Sequence, residues 1–159
     1  MITIEKSILD VKKGIVLQQV NCKGVMGAGL ALQFANMYPK VLPNYLKYLE
    51  LTPKPLGTAK GIKLTDDLLM LMVFGQNAYG TEQRHTNYEA VIAALVQFQK
   101  YLKDNPNSEV FVPYGMGCGL GGGNWKVMQE LIREYLDPHC KLTICKVTQN
   151  VSNALSNNA

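Results

Sequence analysis

Apolar and polar positions alternate from Ile2 to Lys6, which predicts an edge or half-buried strand. Gly14 to Val20 carries the apolar run Ile15-Val16-Leu17 and reads as a buried strand. A helical period covers 28–37 and stops near Pro39, and a second helix runs over 40–49 with Val41, Tyr45, Leu46 and Leu49 apolar. Gly57 to Leu64 and Leu68 to Phe74 are strand-like runs either side of Thr65-Asp66-Asp67, so they form a hairpin. The most regular helix is Asn87 to Leu102, where Val91, Ala94, Leu95, Phe98 and Leu102 line one face and Asn87 can cap. Val110 to Pro113 reads as a strand, Trp125 to Leu136 as a helix and Leu142 to Val147 as a last strand. Strand and helix alternate through the second half, which requires parallel crossovers. With the hairpin added, the expected class is an α/β sandwich with a mixed, mostly parallel central sheet. No internal repeat is visible.

The chain has 159 residues, 47% of them hydrophobic and 18% charged, which excludes disorder and collagen-like sequence. One domain over 1–147 with a polar, Asn- and Ser-rich tail over 148–159 accounts for the length. The net charge is +4, yet only Arg84 and Arg133 among the sixteen basic residues are arginines, so no stable nucleic-acid binding is expected. There is no basic, then apolar N-terminal segment, and the longest apolar run, Leu68 to Phe74, is too short to span a bilayer. A cytoplasmic protein without a membrane partner is the expectation. The four cysteines have no Cys-x-x-Cys spacing, and His139, Cys140 and Cys145 do not have zinc-ligand spacing. No metal and no cofactor are expected.

Chemistry enters with the glycines. Nine of the 14 fall in two loops, each between a strand and a helix: Gly24, Gly27 and Gly29 in the first; Gly115, Gly117, Gly119, Gly121, Gly122 and Gly123 in the second. Loops at the carboxyl ends of parallel strands are where ligands sit in α/β proteins. Glycine there lets backbone N–H groups approach an oxyanion, and the following helix N-terminus adds unsatisfied donors and positive dipole. No acid stands between Asp10 and Glu50, nor between Glu109 and Glu130, so neither loop carries a carboxylate to repel an anion. Glycine can also serve only to make tight turns, but two acid-free loops in the same context favour an anion, and a diphosphate clasped between them is the natural ligand. Gly117-x-Gly119-x-x-Gly122 matches the dinucleotide fingerprint formally, without the acid on the next strand. A P-loop would need Gly-Lys-Ser/Thr where Gly123-Asn124-Trp125-Lys126 stands.

Val20-Asn-Cys-Lys-Gly24-Val-Met-Gly27-Ala-Gly29-Leu-Ala-Leu-Gln-Phe34, followed by Tyr38-Pro39, resembles the first ligand loop and helix of macro domains. Pro113-Tyr-Gly-Met-Gly117-Cys-Gly-Leu-Gly121-Gly-Gly-Asn-Trp125 is similar to the second, phosphate-binding loop of the branch that holds terminal ADP-ribose glycohydrolases, DNA-ADP-ribose-removing antitoxins and the yeast-type ADP-ribose-1″-phosphate phosphatase. The resemblance covers Met1 to Val147. It implies a three-layer α/β/α domain with ADP-ribose or ADP-ribose-1″-phosphate as ligand. By position, Asn21 would contact the distal ribose, and Gly24, Gly27, Ala28 and Gly29 would line the first wall. Gly115, Gly117, Cys118, Gly119, Leu120 and Gly121 would wrap the diphosphate, and Ile8 would lie beside adenine.

Departures from the family pattern are specific. Ser7-Ile8-Leu9 replaces the segment whose Asp commonly reads adenine, Phe74 to Gly80 lacks the hydrolase lysine, and Gly121 stands where the terminal glycohydrolase has an acid. A lysine-dependent glycohydrolase is therefore disfavoured. The expected activity is hydrolysis of ADP-ribose-1″-phosphate or a related ADP-ribosyl ester. The alternatives are a binding module for ADP-ribose or ADP-ribosylated partners, and a hydrolase of O-acetyl-ADP-ribose, protein or DNA adducts. Asn21 would orient the ribose or a water, and His85 is the candidate general acid, against a plainer reading as a solvated loop histidine. Arg84 would meet a terminal phosphate or pair with Glu82, while Asn77 and Tyr79 would stand at the distal end. Cys22 and Cys118 read as small loop residues rather than nucleophiles, and Trp125 as packing.

Overall fold

In a computed structural model, residues 1–147 are described; the tail expected over 148–159 lies outside them. The apolar runs become the strands β1 (Ile2–Glu5), β2 (Gly14–Gln19), β3 (Ala59–Lys63), β4 (Leu68–Val73), β5 (Glu109–Pro113) and β6 (Lys141–Lys146). The helices are α1 (Gly29–Met37), α2 (Val41–Leu51), α3 (Tyr88–Asp104) and α4 (Trp125–Leu136). Short 3-10 turns occupy Ile8–Asp10 and Asp137–His139, neither of which has a period long enough to read from the sequence.

Local chemistry sets the boundaries. Asn87 accepts a hydrogen bond from the amide of Ala90 at 3.0 Å and starts α3, and Asn124 accepts from Lys126 at 2.9 Å and starts α4. Tyr38, held extended before Pro39, ends α1. Pro43 lies in the first turn of α2, where no intrahelical amide is missed.

The sheet order is β1-β6-β5-β2-β4-β3, parallel throughout except where β3 runs antiparallel to β4. The hairpin and the parallel second half are as the sequence predicts. Alternation along β2 sends Ile15 and Leu17 into a core beneath α3 and α4, and Val16 into a second core beneath α1 and α2. Phe34, Tyr45 and Phe74 fill the second core, and Met128, Ile132 and Leu136 of α4 fill the first. Two cores either side of one sheet make a three-layer α/β/α architecture. Among the described residues no helix is long and apolar enough to cross a membrane.

The two central parallel strands, β2 and β5, end side by side, and β4 flanks β2 on its other side. Both glycine loops therefore leave the same end of the sheet.

Candidate functional site

A cavity of about 650 Å³ opens at that end. Its wall is built from the last residues of β2, the first loop with the start of α1, the segment after β4, and the second loop.

The first loop is held from below by Tyr45 of α2, a fully buried side chain. Its hydroxyl lies 2.7 Å from the carbonyl of Asn21 and 2.8 Å from Asn21 Oδ1, and it accepts the amide of Gly24 at 3.1 Å. Burial pushes the Tyr45 hydroxyl up to about 12, against smaller opposing contributions from the loop amides, so it stays protonated and donating. Asn21 Oδ1 also accepts from the amide of Lys23 at 2.9 Å, and Asn21 Nδ2 donates to the carbonyl of Val25 at 2.8 Å. The Asn21 side chain is thus chiefly a brace within its own loop; its second Nδ2 hydrogen makes no bond among the described residues, and Asn21 is on the cavity wall.

The second loop is held by a buried polar chain that joins three elements. Gln19 Nε2 donates to Thr86 Oγ1 at 2.8 Å and to Gln76 Oε1 at 2.9 Å, and Thr86 Oγ1 donates to the carbonyl of Gly117 at 2.6 Å. The amides of His85 and Thr86 both donate to the carbonyl of Gly121 at 2.9 Å. Gln19 Oε1 is buried without a hydrogen-bond partner and lies against Gly75 and Gly117, where a Cβ would come within 2.7 and 2.6 Å of it. Gln19, Gln76 and Thr86 were not singled out by the sequence. A glutamine at a strand end and a loop threonine carry no motif; the isolated Gln76–Thr86 bridge and the bond from the Asn87 amide to the Gly75 carbonyl at 2.8 Å bring the Gln76 and Thr86 segments together.

Most loop glycines answer to the protein itself. Gly24, Gly29, Gly115, Gly117 and Gly122 have positive φ, and Cβ atoms on Gly121 and Gly123 would meet Thr86 Oγ1 at 2.6 Å and the Gly117 carbonyl at 2.8 Å respectively. Gly27 and Gly119 differ. Neither has positive φ; a Cβ on Gly119 would meet nothing within 4 Å, and one on Gly27 only Val25 Cγ1 at 3.7 Å. Both line the cavity, one on each loop. Beside them, the amides of Gly27, Ala28 and Gly29 and of Gly119, Leu120 and Gly121 donate to no group among the described residues. Ala28 gives α1 no side-chain cap.

Of the residues expected to bind, Asn21, Gly27, Ala28, Gly29, Gly115, Gly117, Gly119, Leu120 and Gly121 come together on the cavity wall. Three others do not reach it. Ile8 is buried in the core beneath α1 and α2 because its 3-10 turn packs inward. Gly24 turns toward α2, where a Cβ would meet Leu46 Cδ2 at 3.2 Å. Cys118 packs on the core beneath α3 and α4; its amide donates to the Gly115 carbonyl at 2.8 Å, and burial pushes its thiol up, away from the thiolate. Burial likewise raises the Cys22 thiol, with Lys23 opposing it weakly.

His85 is the main correction. Its side chain is 6% exposed, lies outside the cavity wall, and has Nε2 3.4 Å from Glu82 Oε1. That placement does not put the imidazole on the wall where a general acid would act. Arg84 sits over the Tyr88 ring, 4.9 Å from its centroid, instead of pairing with Glu82. Asn77 accepts the amide of Cys22 and is not on the wall, whereas Tyr79 is. Trp125 packs on Tyr114, a residue of the wall, with ring centroids 4.8 Å apart. Cys140 and Cys145 lie in different cores, so they share no site with His139.

The wall carries no Asp, Glu, Lys, Arg or His; Tyr79 and Tyr114 are its titratable groups. Recognition there rests on backbone amides, side-chain amides and shape.

No protein-family model matches the sequence, and no curated protein matches it. Solved structures do. The macrodomain of Mycobacterium tuberculosis DarG is 24% identical, with 94% of this chain and 99% of that one aligned and a TM-score of 0.76. Thermosipho africanus DarTG, solved in complex with ADP-ribose, is 20% identical over 93% of this chain and 41% of its own, with a TM-score of 0.77. The Oceanobacillus iheyensis macrodomain, solved with ADP, is 12% identical over 98% of this chain and 87% of its own, with a TM-score of 0.70. The chain has the macrodomain fold.

Proposed function

We propose that this macrodomain-fold chain binds ADP-ribose or an ADP-ribosyl derivative, with the diphosphate between its two glycine loops. The observation that carries the reading is the pair Gly27 and Gly119, bare positions that neither conformation nor packing within the chain requires. A missing Cβ that the protein does not need is explained by something outside it that approaches the backbone. Unspent amides on both loops give that ligand its donors, and an anion suits them because no carboxylate shares the wall. The ADP-ribose and ADP in the aligned structures fit the same chemistry. Calorimetric titration with ADP-ribose, AMP, NAD and inorganic phosphate tests it. Saturable binding of ADP-ribose, tighter than AMP or phosphate, is expected; no ADP-ribose binding refutes it.

A second reading adds chemistry, favoured by the unspent Nδ2 hydrogen of Asn21 on the cavity wall. That hydrogen can orient a ribose hydroxyl or a water at the 1″-phosphate of ADP-ribose-1″-phosphate. Water oxygen would bond to phosphorus while the bond from phosphorus to the ribose oxygen breaks, loop amides holding the developing negative charge. With no acidic or basic side chain on the wall beyond two tyrosines, the water's proton passes to the substrate's own phosphate oxygens and on to the leaving ribose oxygen. Release of inorganic phosphate above the uncatalysed level supports this reading, and its absence alongside ADP-ribose binding leaves binding alone.

A further inference from the structure

The cavity wall carries both apolar and polar side chains, among them Leu30, Ala31 and Pro113 and, of the polar ones, Gln18, Asn21, Gln76 and Thr81. Leu30 and Ala31 pack on the core beneath α1 and α2, the side of the sheet to which Gln18 also turns. Apolar side chains suit the flat face of a base, and polar ones suit ribose hydroxyls. Gln18 follows Val16 on the α1 and α2 face of β2, opposite to Gln19, and is 9% exposed. Its Nε2 donates to the carbonyl of Gln19 at 3.1 Å, which fixes how the amide is turned. Oε1 is then the free end, and it accepts no hydrogen bond among the described residues although Gln18 lines the cavity.

We propose that Gln18 determines base specificity: its Oε1 accepts a hydrogen bond from the exocyclic amino group of a 6-aminopurine seated against Leu30, Ala31 and Pro113. This rests on the reading of the cavity as an ADP-ribose site. It supplies what Ile8 cannot, since Ile8 is in the core and the wall holds no carboxylate. A carbonyl oxygen fixed in this way distinguishes amino from oxo at the purine 6-position. Adenine presents a donor there, whereas hypoxanthine presents a second acceptor and leaves both oxygens unpaired.

The test compares ADP-ribose with inosine diphosphate ribose by calorimetry on the wild type and on Gln18→Met, which keeps the length and removes the amide. The wild type should bind ADP-ribose roughly tenfold tighter than the inosine analogue, a single neutral hydrogen bond's worth. In Gln18→Met, ADP-ribose should weaken to near the analogue, whose affinity changes little. Equal wild-type affinities overturn the proposal, and so does an unchanged preference in Gln18→Met. If that variant does not fold, the wild-type ratio and Gln18→Leu decide in the same way. Failure of the wild type to bind either ligand is a different result, which refutes the ADP-ribose reading itself.

Discussion

Thr86 Oγ1 donates to the carbonyl of Gly117 at 2.6 Å across 31 residues of sequence, and Thr86 in turn accepts from Gln19. The shape of the second glycine loop is therefore fixed from the segment before α3 rather than from the loop's own side chains. Replacing Thr86 with Val keeps the volume and removes that donor. The Gly117 carbonyl retains its bond from the Gly123 amide, so the fold should survive with a loss of about 1–2 kcal/mol in denaturant unfolding. ADP-ribose affinity should fall several-fold, and Thr86→Ser should restore most of it. An unchanged affinity in Thr86→Val would separate this network from binding.

Tyr45 does the same for the first loop from the opposite layer. Tyr45→Phe leaves the Asn21 carbonyl and the Gly24 amide short of a partner in a buried place, a loss of about 1–3 kcal/mol. The alkaline side gives a second readout. The folded-state hydroxyl, raised from 10.0 to about 12, holds its proton where the unfolded tyrosine releases it. Its contribution is fully present below the unfolded value and is lost as pH rises through the folded one. Wild-type stability should fall more steeply than that of Tyr45→Phe above pH 10; parallel curves would contradict the buried, donating hydroxyl.

Gly121 is closed to an acid by packing as well as by sequence. A Cβ there would stand 2.6 Å from Thr86 Oγ1 and 2.8 Å from the Gly117 carbonyl. Gly121→Asp should unfold the chain or destabilise it by more than about 3 kcal/mol, without creating hydrolase activity, by thermal melting and turnover assays. A stable, active Gly121→Asp protein would show that the second loop is looser than its contacts.

His85 faces Glu82 and not the cavity. His85→Gln should bind ADP-ribose within about twofold of the wild type, and wild-type affinity should stay flat between about pH 5 and 8, because the wall holds no histidine or carboxylate. A step in affinity across that range, abolished in His85→Gln, would place the histidine in the site after all.

Much of this was legible in the chain because it depends on local pattern. The strand run of 68–74, the amphipathic face of 87–102 and the glycine loops are each written in consecutive residues, and all return in the structure. The braces were not. Tyr45 read as one apolar position of a helix, and its hydroxyl's partners lie 21 and 24 residues away. Gln19 and Thr86 are 67 residues apart, so nothing local marks them as a pair. His85 and Ile8 stand elsewhere than expected for a different reason. A matching motif position, as for Ile8, or a place in the loop before a helix, as for His85, says nothing about which way a side chain points, and packing turns Ile8 into the core and His85 toward Glu82.

The central claim, that the two loops leave room for a diphosphate, is tested most directly by ADP-ribose calorimetry on Gly27→Glu and Gly119→Glu. Neither position has positive φ, a Cβ on Gly119 meets open space, and one on Gly27 makes only an ordinary contact. Both variants should therefore melt close to the wild type. Each places a side chain and a negative charge against the ligand's phosphates, so binding should be lost. Folded variants that bind ADP-ribose as tightly as the wild type would contradict the two-loop site.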